Sequence, residues 1–98
     1  METPPPLPDV FMSIVDQAAV LKILDDIDGH AELLSVQVKV HATAHAESAT
    51  PDLATARRVL ADGTLRGLQL RYRFGGDVWA DTLMRLPSGA FRLVRVGA

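Results

Sequence analysis

Apolar residues recur along this chain with two different periods, and each change of period marks an element. Over residues 10–28, Val20, Ile23, Leu24 and Ile27 form a stripe at helical spacing, with Val15, Ala19 and Lys22 beside it. That spacing predicts a helix beginning at Asp9 or at Ser13, where Ser13 and Asp16 resemble a capping box. Gly29 is its natural stop. Asp25, Asp26 and Asp28 crowd the same end, where negative charge is unfavourable. Over 33–41 the period drops to two, with Leu34, Val36, Val38 and Val40 alternating with Ser35, Gln37, Lys39 and His41. This is a strand with one buried face. Thr50-Pro51-Asp52 then opens a second helix, with a capping hydroxyl, a proline at the first turn and an acid for the dipole. Leu53, Ala56, Val59 and Leu60 are its apolar side, and Gly63 ends it.

The last third reads as a three-stranded meander. Leu68, Leu70, Tyr72 and Phe74 alternate with Gln69, Arg71 and Arg73, and Gly75-Gly76-Asp77 turns the chain. Residues 78–86 follow, then Pro87-Ser88-Gly89, then a closing strand over 90–96. If both loops are three residues long, Phe74 faces Val78 and Leu86 faces Ala90. Leu68, Leu70, Tyr72, Ala80, Thr82 and Met84 then share one face. The other face carries Arg71 opposite Asp81, Asp81 opposite Arg95, and Arg73 opposite Trp79 as a cation–π pair. A slip of one residue would set Asp81 beside Leu70, so the three-residue register is preferred. In this register Trp79, Leu83, Phe91 and Leu93 lie on the arginine face, which makes the sheet apolar on both sides. Each side needs cover. Either the two helices cover one face each, or they cover one together and the other is left for the proline-rich leader, a second copy or another protein. The second arrangement is the expectation adopted, with Arg71, Arg73, Trp79, Leu83, Phe91, Leu93 and Arg95 as the interaction surface.

The expected fold is therefore α+β: a four-stranded, mainly antiparallel sheet with two helices in the order α-β-α-β-β-β. Residues 1–8, with four prolines, form an extended leader, and 9–98 form one domain. Ninety-eight residues suffice for one core, and 48% apolar with 22% charged residues is an ordinary globular composition. Without cysteine there is no disulfide framework and no thiolate chemistry. The start shows no basic, apolar signal segment, and no run nears the roughly 20 apolar residues of a membrane span. A cytoplasmic protein without a membrane partner is the expectation. Net charge is −2, divided into −6 over residues 1–50 and +4 over 51–98, all eight arginines falling in the second half. An acidic helix balanced by a basic sheet accounts for that.

Candidate chemistry is sparse. His41 and His45 would lie about 6 Å apart on a helix but roughly 13 Å apart on a strand, too far for one metal ion. The upstream alternation favours the strand. Asp26, Asp28 and Gly29 suggest a calcium loop, but Leu24 and Ser35 would occupy its first and last ligand positions. Arginines interleaved with Tyr72, Phe74, Trp79 and Phe91 suit single-stranded nucleic acid, yet strand alternation separates the rings from Arg71 and Arg73. A pI near 5.8 also argues against a polyanion. No nucleophile elbow, phosphate loop or dinucleotide fingerprint is present. No cofactor is implied, and an enzyme is not favoured.

Residues 79–86 (Trp79 to Leu86) with Phe91-Arg92-Leu93-Val94 resemble the closing hairpin of NTF2-like domains, over about a fifth of the chain. The resemblance implies a pocket between helices and a curved sheet. The leading expectation is a non-enzymatic interaction module acting as a homodimer or accessory subunit. The alternative is a small-molecule or enzyme pocket with His41 or His45 as its polar group.

Overall fold

The computed structural model describes residues 10–40 and 52–97. Its elements are β1 (Val10–Val15), α1 (Gln17–His30), β2 (Glu32–Val40), α2 (Leu53–Ala61), β3 (Leu65–Phe74), β4 (Asp77–Arg85) and β5 (Phe91–Gly97). The class is α+β with two helices, but the antiparallel sheet has five strands, not four, in the order β1-β5-β4-β3-β2.

The additional strand is the first correction. Val10–Val15 is not helical; it pairs antiparallel with β5, from Val10↔Val96 to Val15↔Phe91. The segment VFMSIV is β-branched and aromatic, without a good helix former apart from Met12, and so fits an extended ladder. α1 starts after it. Asp16 is the N-cap itself, its Oδ1 accepting from the Ala19 N–H at 2.8 Å, and Ser13 stays in the strand. The predicted stripe holds: Val20, Leu24 and Ile27 are buried and Ile23 is half-buried. The helix runs past Gly29 to His30 and stops where Ala31 extends into β2.

α2 carries Ala56, Val59 and Leu60 into the core. Its N-cap is Asp52, which accepts from the Thr55 N–H at 2.7 Å. The predicted Thr50-Pro51 start lies outside the described residues, as does the leader over 1–8. Gly63, at φ 76°, ends the helix as expected. Arg57 on α2 reaches Asp25 at 2.9 Å and Asp28 at 3.6 Å, which answers the acidic crowding at the end of α1. In β2, a register shift between Leu33 and Ser35 breaks the alternation. Leu33 is half-buried while Leu34 is turned outward, and Val36 resumes the buried series.

The second correction concerns register. The β4–β5 pairing is the predicted one, with Asp81 opposite Arg95 and Leu86 N–H donating to Ala90 O across the three-residue loop. The β3–β4 turn contains only two residues. Gly75 and Gly76 both take positive φ, 62° and 86°, as a type I′ hairpin demands, so Phe74 faces Asp77. The pairing is one residue off the three-residue register expected from the sequence, and it turns every β3 side chain to the other face of β4. Leu68, Leu70 and Tyr72 now share a face with Trp79, Asp81, Leu83, Phe91 and Leu93. Both helices pack on that face, and the buried core lies between them and the sheet. No helix among the described residues is long and apolar enough to cross a membrane.

Candidate functional site

The slip takes apart the surface predicted from sequence. Leu83 and Phe91 are fully buried, Leu93 is 3% exposed, and Trp79 is half-buried against the same cluster. Arg95 also lies on the helix-covered face, while Arg71 and Arg73 project from the opposite, bare face, across from Ala80 and Val78. The seven residues therefore do not make one surface. The expected pairs change with them. Arg73 is bonded to Glu32 at 3.2 Å instead of stacking on Trp79, and the cation–π contact is Arg85 over Phe91, 4.8 Å to the ring centre. The rings of Tyr72 and Phe91 are buried away from the bare face, so Arg71 and Arg73 have no interleaved stacking platform. His41 and His45 lie outside the described residues. Among the described residues no three His, Cys, Asp or Glu side chains converge as a metal would need.

Two features take the place of the predicted surface. The first is on the covered face. Asp81 is 0% exposed, in line with Leu70 and Leu83. A buried carboxylate must be paired and hydrogen-bonded, and Asp81 is both. Arg95 grips it side-on, Nε to Oδ1 at 2.9 Å and Nη2 to Oδ2 at 2.8 Å, and the Tyr72 hydroxyl donates to Oδ1 at 3.0 Å. The fork geometry suits a desolvated carboxylate. Burial, and then the Asp81 charge, push the Tyr72 phenol up to about 12, so it remains a donor. The bond to Asp81 raises the pKa of Arg95 and keeps it charged. Two members of this triad, Tyr72 and Arg95, line a groove of about 550 Å³. Ile23, Asp26, Ile27 and His30 of α1 form one wall, with Ala31 following, and Tyr72, Phe74 and Arg95 the other. The alternative reading places a pocket between helix and sheet with His41 or His45 as its polar group; both histidines lie outside the described residues.

The second feature is the bare face and the edge that bounds it. Met12 and Ile14 of β1 are 63% and 67% exposed. The register sets them beside Val94 and Arg92 of β5, with Thr82 and Met84 of β4 next in line. Met84 and Val96 are exposed as well. On β3 and β2 the same face turns polar, through Gln69, Arg71, Gln37 and Lys39. Nothing in the alternation of residues 78–96 could have shown this strip, because its outermost members come from a segment that reads as helix. Comparison with known protein families, with curated proteins and with solved structures gives no match.

Proposed function

We propose that this chain is a protein-interaction module that joins a second copy of itself along β1 and the apolar strip beside it. The observation that carries the reading is the contrast between the two edges of one sheet. β2 is guarded: it has a register shift at Leu33/Ser35 and charges at Glu32 and Lys39. Such irregularities and charges are how proteins blunt an edge against pairing. β1 has none of them. Its six residues carry no charge, proline or glycine, and among the described residues it pairs on one side only.

The composition of β1 favours antiparallel pairing with β1 of a second copy. A two-fold interface must be self-complementary. An uncharged strand sets no like charges opposite one another, and Met12 and Ile14 of both copies meet on one face of a continuous sheet. Pairing of β1 with the guarded β2 edge would build open fibres, which the bulge opposes. A six-residue strand covers less than the roughly 800 Å² per partner of a standard interface, so the dimer dissociates on dilution.

Light scattering over a concentration series tests this. The wild-type mass should rise from 10.6 kDa toward twice that value. Ile14→Lys should remain monomeric, and Leu34→Lys, on the other edge, should behave as wild type. A wild-type mass that never exceeds the monomer removes the self-association reading. An Ile14→Lys variant that dimerises equally well removes the role of β1.

A further inference from the structure

We infer that the groove between α1 and the sheet binds a small neutral molecule, a planar apolar body carrying a carbonyl-type acceptor. Its volume of about 550 Å³ falls within the ordinary range for small-molecule sites. Ile23 and Ile27 face Phe74 across it, which suits a flat apolar body. The polar group that orients a ligand is Arg95. Its Nε and Nη2 are committed to Asp81, and its remaining nitrogen, Nη1, has no hydrogen-bond partner among the described residues. The side chain is 36% exposed and lines the groove. A guanidinium can only donate, so whatever meets that outer edge must accept.

Charge then selects among acceptors. Asp81 already neutralises Arg95, and Asp26 on the opposite wall makes no ion pair among the described residues. The lining then carries one acid without an ion-pair partner, Asp26, beside His30. A carboxylate ligand would meet Arg95 with its charge already cancelled and would face the Asp26 carboxylate across the groove. An ammonium could not accept from Arg95. A neutral carbonyl meets neither objection, and an adjacent N–H could donate to Asp26. The Tyr72 hydroxyl donates to Asp81 and so offers a ligand no donor.

Titration of the full chain with 2-naphthamide, and with 2-naphthoate as its anionic twin, tests the inference by calorimetry and isoleucine-methyl NMR. Saturable binding of the amide should shift the Ile23 and Ile27 methyls and leave Ile14, on the bare face, unmoved. Naphthoate should bind about ten-fold more weakly, the effect of one unfavourable charge at this range. Ile23→Trp, which fills the groove from the helix side without touching the triad, should weaken the amide by about ten-fold or more. Arg95→Lys, which keeps a charge near Asp81 but loses the outer N–H edge, should weaken it too. Absence of saturable binding, equal affinity for the anion, shifts centred on Ile14, or an Ile23→Trp variant that binds as well as wild type would each overturn it.

Discussion

Tyr72 is the chain's single tyrosine, so absorbance at 295 nm follows one known phenol through alkaline titration. In the structure the residue is 6% exposed and its hydroxyl is bonded to a buried carboxylate. Ionising it would strip a charge of water and place it beside the negative Asp81, and both effects raise its pKa, burial the more strongly. The folded chain should therefore show a midpoint of about 12, against an ordinary value near 10. The sign for stability follows. The native pKa lies above the unfolded one, so the contribution is fully present below about pH 10 and is lost as pH rises toward 12. Two pKa units correspond to roughly 2–3 kcal/mol. Asp81→Asn should bring the midpoint part of the way down, since the Asp81 charge is removed while burial remains. The same change should cost about 1.5–3 kcal/mol in urea unfolding, the value of hydrogen bonds to a charged group. The larger penalty of a fully stranded buried charge does not apply, because the Arg95 side chain is 36% exposed and can be hydrated. Circular dichroism recorded alongside should show the fold persisting through the titration. A midpoint near 10 in the folded chain, or one that Asp81→Asn leaves in place, would refute the β3–β4 register. With a three-residue turn, Asp81 and Tyr72 would lie on opposite faces.

Two further outcomes test the same arrangement. Leu83 and Met84 are neighbours on opposite faces, one fully buried and one 47% exposed. Leu83→Ala should cost about 2–5 kcal/mol in urea unfolding and Met84→Ala less than about 1 kcal/mol; equal costs would contradict the facing. A Cβ at Gly76 would meet nothing within 4 Å, but its φ is 86°. Gly76→Ala should therefore lose about 1–2 kcal/mol through backbone strain alone, and a neutral result would argue against the two-residue turn.

The elements whose identity depends on neighbours a few residues away were legible in the sequence. The stripe Val20, Ile23, Leu24, Ile27 has only to repeat at 3.6 residues to make a helix with one oily side, and it does so whatever lies opposite. The same holds for Ala56, Val59 and Leu60 in α2. It holds also for the β4–β5 hairpin, whose Pro87-Ser88-Gly89 loop sets Asp81 against Arg95 through local turn geometry. Two matters were decided only in three dimensions. Val10–Val15 is extended because β5, some eighty residues later, supplies its hydrogen-bond partners; its β-branched composition permits a strand, but the helical stripe that follows Asp16 masks where the strand ends. The β3–β4 turn admits loops of two or three residues around Gly75 and Gly76, and local sequence does not separate them. Packing does, because only the shorter loop sets Leu68, Leu70, Leu83, Phe91 and Leu93 under the helices together. Asp81 is carried inward with them, against its own polarity. The core accepts it because Arg95 and Tyr72 arrive on the same face to satisfy it, and no single strand, read alone, contains all three.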